Sequence, residues 1–500
     1  METPFADSPW TVWAVFTPMI GAVAAFLWPR RAALVGCLAT LATVGSVFWL
    51  IWQVAQLGPQ YHAMGGWGAP LGIDLHADGL SAAMLLTTAL VGAGVTLYAT
   101  AYFQQATETA RFFWALWLLL WSAMNALFLS GDLFNLYVTL ELVGVASVAL
   151  VALAGNSDAL TGAMRYFLLS LLGSLTYLLG VALLYGAHGT LDIGLLSDLV
   201  TPAPADWAAT GLIVAGLSIK TALVPLHFWL PPAHAAAPAP VSALLSALVV
   251  KTSFYLLLRL WLELFPVTAP GFGQVLGLLG ALAIFWGSFQ ALRQARLKLL
   301  VAYSTVAQIG YLFLAFPLAL TTAAATAWAG TVLFILSHAL AKAAMFLAAG
   351  NILKFAGHDR IADLGSGSPG VALSWAAFGI AGISIIGLPP SAGFAAKWLL
   401  LQASFASGQW WWLIPIIGGS LLAAAYMFKV AGLAFLPNDQ GDPGDLGDPK
   451  AAGVRLSRRM KWTALGFALG ALAMGFATPQ ILALLDSGTP FAQLGAVGVL

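Results

Sequence analysis

Residues 215–234 read Ala215-Gly-Leu-Ser-Ile-Lys220-Thr-Ala-Leu-Val-Pro225-Leu-His227-Phe-Trp-Leu-Pro231-Pro232-Ala-His234. The run continues Ala-Ala-Ala-Pro238-Ala-Pro240-Val-Ser-Ala-Leu-Leu-Ser-Ala-Leu-Val-Val-Lys251-Thr252. Two lysines, two histidines and five prolines stand in an otherwise apolar stretch. A proline inside a helix removes one backbone hydrogen bond and clashes with the preceding turn. In hydrocarbon the carbonyls so freed need other partners. Broken helix at membrane depth therefore persists only where it is buried in protein or lines a wet cavity. Lysines beside such breaks point to an internal ion path.

Working outward, the chain of 500 residues is 61% hydrophobic and 8% charged, with mean hydropathy +0.91. A soluble domain carries about 25% charged residues, so the reading is an all-α polytopic membrane protein embedded in a lipid bilayer. A net charge of +1 offers no handle for a polyanion and excludes nucleic acid as a partner. The single cysteine, Cys37, makes no internal disulfide and cannot supply the usual cysteine set of an iron–sulfur cluster. Neither a Cys-x-x-Cys-His haem site nor a glycine-rich dinucleotide fingerprint in context is present, so no cofactor is expected. The many glycines suit close packing of membrane helices. Residues 1–9 lack the basic start of a signal peptide, and the first apolar run is expected to be retained as a helix.

Apolar runs of about twenty residues mark spanning helices. They fall at 10–28, 33–57, 80–101, 112–130, 133–154, 162–185, 207–229, 240–262, 272–291, 299–318, 322–354, 371–405, 411–436 and 461–484, or about fourteen in all. The runs 322–354 and 371–405 are too long for one straight span, so a tilt, a break or a re-entrant start is expected in each. Counting each run as one crossing puts Arg30, Arg31, Arg111, Arg165, Arg293, Arg296, Lys298, Lys354, Arg360 and the cluster Lys450 to Lys461 on one side. The opposite loops hold Asp74, Asp78, Asp132, Asp192, Asp198, Asp206 and Glu263, with Arg259 as the one nearby cation. By the positive-inside rule the basic loops face the cytoplasm and both termini face outward across the cell (inner) membrane. Residues 58–79 form an outside cap, 189–205 carry a short surface helix, and the acidic Gly/Pro-rich segment 437–453 is a mobile loop.

Lys220 beside Pro225 and Pro231-Pro232 is echoed by Lys397 after Pro389-Pro390. Inverted repeats with discontinuous helices build midplane sites in many transporters. The expected division is 1–110 for helices one to three, 111–265 for a first five-helix repeat, 266–436 for a second, and 437–500 for the acidic loop and last helix.

Glu141 is the only acid placed mid-helix, and the intramembrane cations are Lys220, Lys251, Lys342, Lys397 and Lys429. His338 precedes Lys342 by one helical turn, so the two share a face. A charge at the bilayer centre costs roughly 2.5–3.5 kcal/mol. A carboxylate and an ammonium 4 Å apart attract by about 4 kcal/mol at an effective dielectric of 20. Burial favours a neutral amine and a nearby carboxylate favours a charged one. A lysine held between these influences can gain or lose its proton when its partner moves. Lysines in membranes also snorkel or brace helices, and for Lys342 and Lys429 that alternative stays open. His227 and His234 stand between relay and structural roles, and with no Cys or carboxylate joining them they make no metal set. Gln308, Ser304 and Tyr303 can hold water but carry no proton alone. The twenty tryptophans read as interface anchors.

At these residues the chain resembles the antiporter-like membrane subunits shared by respiratory complex I, membrane-bound hydrogenases and Mrp-type cation/proton antiporters. The resemblance runs over roughly 75–435. It is carried by Lys220 to His234, Pro240-Val-Ser-Ala-Leu through Lys251, Leu297-Lys-Leu-Leu-Val-Ala-Tyr-Ser-Thr-Val-Ala-Gln-Ile-Gly-Tyr311, His338 to Lys342, and Gly387-Leu-Pro-Pro-Ser-Ala-Gly-Phe-Ala-Ala-Lys397. It implies fourteen helices, two inverted repeats and a polar row along the membrane midplane. It also implies that Glu141 and Lys220 form a paired switch, that Lys251 and His338 are the central relay, and that Lys397 is the terminal proton site. Several relatives carry His where this chain has Gln308, and some carry Glu where Lys397 stands; a terminal Lys suits the D-type member of the Mrp assemblies.

The expected function is therefore that of a proton-translocating subunit in a multisubunit Mrp-type monovalent cation (Na+)/proton antiporter, partnered by other membrane subunits. The alternative is a pump subunit of a redox-driven complex, such as NADH:quinone oxidoreductase or a membrane hydrogenase; a third is an ion-coupling subunit of another membrane assembly, or a structural remnant. The topology is testable. With Cys37 replaced by serine, Ser457→Cys should react with a membrane-impermeant maleimide only after the cells are opened, and labelling of intact cells would reverse the orientation.

Overall fold

The computed structural model describes residues 6–103, 107–265, 270–318, 321, 323–364, 370–435 and 455–487. Its helices run α1 (Trp10–Leu27), α2 (Ala32–Leu57), α3 (Gly79–Tyr102), α4 (Thr107–Leu129), α5 (Leu133–Ala152), α6 (Ser157–His188), α7 (Ile193–Ser197), α8 (Pro204–Lys220), α9 (Leu230–Ala236) and α10 (Ala239–Leu244). There follow α11 (Val250–Glu263), α12 (Pro270–Arg293), α13 (Leu297–Phe313), α14 (Ala324–Ala356), α15 (Ala372–Ile386), α16 (Ala392–Ala406), α17 (Leu413–Phe435), α18 (Arg458–Ala473) and α19 (Thr478–Leu485). A π-helical turn, Leu245–Val249, joins α10 to α11.

Eleven helical spans are long and apolar enough to cross a membrane, and α18 with α19, bent by 77°, makes a twelfth. Fourteen is reached only if the broken segments α8–α9 and α15–α16 each count as one crossing. Both run from one end of the molecule to the other. Asp206 of α8 meets His188 at 2.8 Å, while Ala235 to Pro238 share a cavity with Arg165 and Arg296. Asn351 meets Ser374 of α15 at 3.1 Å, and Gln409, after α16, reaches Pro317 at the far end. The expected break in 371–405 falls at 387–391. The other long run is an unbroken helix of 33 residues, about 50 Å at 1.5 Å per residue. It therefore overruns a hydrocarbon core of about 30 Å, and its apolar section is buried throughout.

One end gathers the acids. Asp78, Asp132 and Asp192 cap α3, α5 and α7 through Ser81, Asn135 and Leu195 amides at 2.8, 2.7 and 2.9 Å, each satisfying one orphan donor of a helix start. Three short strands close the same end: β1 (Ala6–Asp7) lies parallel to β2 (Gln60–Ala63), which pairs antiparallel with β3 (Asp74–Ala77), Gln60 opposite Ala77. Four-residue strands carry too little alternation to be read from sequence, so the 58–79 cap was legible only as a loop. The expected surface helix in 189–205 is α7. The acidic segment 437–453 lies outside the described residues.

One expectation needs correction: Trp117, Trp121, Trp229 and Trp328 are buried in the core rather than set at an interface. Arg259, the cation near the acidic loops, is buried on α11 and bonds Asp78 at 2.6 and 2.9 Å, Glu263 at 2.7 Å and Ser81 at 2.9 Å. Burial pushes the Asp78 carboxyl up, but the Arg259 guanidinium outweighs it and holds the group at about 2. That contribution to stability is complete above the ordinary carboxylate range and is lost as the pH falls through about 2. Breaking a buried pair costs about 3–5 kcal/mol. Asp78→Ala should therefore lower the unfolding temperature of the detergent-purified protein, toward the small end of that range because Glu263 remains. Asp78→Ala with Arg259→Met should regain most of the loss.

Candidate functional site

The first helix break sets Lys220. After α8 the chain turns through Ala222, whose φ of 58° is rare for a residue with a side chain. Three of the freed carbonyls, those of Leu217, Ser218 and Ile219, find partners. Thr221 donates its amide and hydroxyl to Leu217 at 2.8 and 2.7 Å, and the Leu223 amide reaches Ser218 at 3.1 Å. The Trp229 indole donates to Ile219 at 3.0 Å while stacking 4.3 Å from Tyr166. Lys220, the last residue of α8, is thereby turned toward α5. Its Nζ lies 3.3 Å from Glu141 Oε1, 3.0 Å from Ser170 Oγ and 3.3 Å from the Leu140 carbonyl. Lys220 is buried, whereas the Glu141 side chain keeps 24% exposure. Gly144, one turn past Glu141, leaves the room: a Cβ there would stand 2.8 Å from Ser170 Oγ.

Beyond Lys220, hydroxyls and cations alternate toward the centre. Thr221 Oγ1, donating to Leu217, lies 3.2 Å from Ser253 Oγ. A cavity of about 10 Å³ lined by Lys220, Ser170, Tyr166 and Ser253 opens beside that pair, room for about one water. Lys251, two residues before Ser253 on α11, donates to the Ser246 carbonyl in the π-helical turn. Ser246 and Thr305 share a hydrogen bond at 2.8 Å. On α14, His338 has neither ring nitrogen bonded among the described residues and stacks against Phe334 at 5.8 Å. Lys342 donates to Ser304 Oγ and, at 3.1 Å, to the Val301 carbonyl. Gln308 faces Tyr426 at 3.5 Å. Ser337, beside His338, meets Ser384 at 2.7 Å, which leads to the second break.

There α15 ends on Gly387, at φ 87°, and Ser391 caps α16. Lys397 Nζ donates to the freed carbonyls of Ile385 and Ile386 at 3.0 and 3.1 Å and to Ser420 at 3.1 Å. It also lies 4.3 Å over the Tyr311 ring, a favourable cation–π position. The positive φ and the approach of the Lys397 stem, 2.8 Å from where a Cβ would sit, both require glycine at 387.

The remaining candidates divide. His234 is buried, stacks on Phe346 at 4.9 Å and has no ring partner among the described residues. His227 is half-buried and accepts from Trp286 at 3.2 Å, away from the row. Lys429 donates to the Leu292 and Gln294 carbonyls at 2.7 and 2.9 Å; it braces the end of α12, where a cation is favoured. Lys298, counted with the loop cations, is a correction: it is 2% exposed and its ammonium reaches the Ala235 and Ala237 carbonyls at the end of α9. Its apolar neighbours, Leu297, Leu299 and Leu300, were the available signal. The hydroxyl pairs carried none, because single serines and threonines in apolar helices are common.

The arrangement is one carboxylate–ammonium pair followed by buried cations that have no carboxylate partner among the described residues. The family described as NADH:quinone oxidoreductase/Mrp antiporter, TM matches residues 130–435. The N-type subunit of the NADH-quinone oxidoreductase of Desulforudis audaxviator is 36% identical over 435 residues, covering 84% of this chain and 85% of that one. The D-type subunit of the Na(+)/H(+) antiporter of Bacillus subtilis is 29% identical over 86% of this chain and 87% of its own. A chain in the Mrp complex of a Dietzia species superposes with a TM-score of 0.84 at 26% identity, covering 97% of each chain. The chain is a multi-pass membrane protein that belongs to the NADH:quinone oxidoreductase/Mrp antiporter family.

Proposed function

We propose that this chain moves protons along the row Glu141, Lys220, Lys251, His338 and Lys397, as one membrane subunit of a Mrp-type monovalent cation/proton antiporter. The observation that carries the proposal is the 3.3 Å contact of Glu141 with Lys220 at a helix break, continued by buried amines. The geometry supports a switch in physical terms. The half-buried carboxylate can swing toward water, whereas the ammonium is held by α8. With the carboxylate close, their attraction of up to about 4 kcal/mol favours the charged amine. With it withdrawn, a buried ammonium loses that attraction and hands its proton inward, through the Thr221–Ser253 hydroxyls toward Lys251. His338, lacking hydrogen-bond partners among the described residues, can accept and pass a proton on either ring nitrogen. Lys397 closes the row on freed carbonyls at the second break.

On this reading α4–α11 and α12–α17 are two inverted units, each with one broken helix and one terminal lysine. The basic ends face the cytoplasm, both termini face outward, and Na+ is the exchanged cation. Exchange with Na+ and assembly with other membrane subunits draw support from the Bacillus and Dietzia proteins. The second reading, a proton-pumping subunit of a redox-driven complex, is favoured by the 36% identical oxidoreductase relative.

Two experiments test these statements. Lys397→Ala removes the titratable amine and Lys397→Arg fixes the charge, because arginine does not deprotonate in proteins. Both should abolish proton-coupled flux in vesicles holding wild-type levels of assembled complex; full flux in Lys397→Ala would make Lys397 structural. Glu141→Gln should slow transport about tenfold or more, the factor that 1.36 kcal/mol of barrier represents. Purification of the native complex separates the two parents: small hydrophobic antiporter subunits are expected, and iron–sulfur or nickel–iron subunits would establish the redox-driven reading instead.

A further inference from the structure

A groove of about 640 Å³ runs down the outer face between α3 and α18, away from the proton row. Arg458, Arg459 and Trp462 stand at its mouth. Its walls are Leu90, Leu97, Leu340 and Phe467. Leu90, Leu97 and Trp462 are 39%, 50% and 59% exposed, so the groove opens to the surroundings of the helices. At the basic end, neither arginine pairs with a carboxylate among the described residues.

The shape is amphipathic and its length is informative. From Arg458 to Gly470, the last lining residue on α18, the helix rises about 18 Å at 1.5 Å per residue. Half of a hydrocarbon core is about 15 Å. The groove therefore starts at the headgroup level of one leaflet and ends near the midplane. There it meets Leu340, which stands between His338 and Lys342 on α14. A second helix would need a path through both leaflets, whereas an acyl chain needs one. Two guanidiniums with no carboxylate partner among the described residues favour a phosphate, with Arg forks matching its oxygens, and a tryptophan beside them sits where aromatic side chains meet the interface. Space inside is real: a Cβ at Gly466 would meet nothing within 4 Å, and one at Gly470 only Leu340 Cδ1 at 3.5 Å.

We propose that this groove holds one anionic diacyl phospholipid of the leaflet on the basic side, phosphate on Arg458 and Arg459, one acyl chain against Leu90, Leu97, Phe467 and Leu340. Basic residues at that level attract anionic lipid. The lipid covers the outer faces of α3 and α18 down to Leu340 of α14.

The test uses the intact complex, exchanged into micelles doped with phosphatidylglycerol or phosphatidylcholine and weighed by native mass spectrometry. The complex is expected to retain phosphatidylglycerol about tenfold more than phosphatidylcholine. Arg458→Gln with Arg459→Gln should erase that preference. Gly466→Leu should fill the groove and lose both lipids, while the helix is retained because leucine favours helix over glycine. Equal retention of the two lipids by the wild type, or unchanged phosphatidylglycerol retention in either variant, would overturn the proposal. So would a disulfide from Gly466→Cys to a helix of a neighbouring protein in the complex, which would make the groove a contact between proteins.

Discussion

Ammonium groups bonded to backbone carbonyls at helix breaks and helix ends are what this structure is built around. Hydrocarbon leaves no carbonyl unsatisfied, and it leaves no ammonium unsolvated. Each defect is the other's remedy. Lys397 sits on the carbonyls freed by the break at Gly387, Lys251 on the π-helical turn, Lys298 on the end of α9, and Lys429 on the end of α12. The negative end of a helix dipole adds to the contacts at helix ends. Prolines that would weaken a soluble helix thus create, in a membrane protein, the polar cradles that hold its charges.

Such cradles are weaker partners than a carboxylate, and that difference gives the row a direction. Within the row Lys220 alone bonds an acid, Glu141, and the acid is the more exposed of the two. A movement at Glu141 therefore changes the electrostatics at one end without repacking the rest. The hydroxyl pairs Thr221–Ser253, Ser246–Thr305 and Ser337–Ser384 adjoin the row in sequence. A hydroxyl both donates and accepts, which is the property the proposed relay draws on. α14 supplies His338 and Lys342 from the middle of the molecule, where burial on all faces fixes their position.

The two ends of the molecule use charge in different ways. At one end acids cap helix starts and Asp78 neutralises the buried Arg259. At the other, Arg165, Arg296 and Lys298 surround a cavity of about 700 Å³. The charge asymmetry between the two ends thus serves for capping and for holding buried groups.

Much of this could be read from the residues alone. Apolar runs of spanning length, basic loops alternating with acidic ones, and lysines beside proline pairs are local properties, and hydrocarbon enforces each of them residue by residue. Glu141 stood out because no other acid lies mid-run. Tertiary structure decided which groups meet. That Glu141 finds Lys220 across 79 positions follows from how α5, α6 and α8 pack. Lys298 looks like a loop cation until α9 ends against it, and the partner of Arg259 is known only once Asp78 is brought to it. Whether a run such as 371–405 is one helix or two, and whether a serine is a bridge or filler, depends on neighbours distant in sequence. A charge in an apolar segment announces its cost locally; the group that offsets that cost is supplied by another helix, and only packing determines which one.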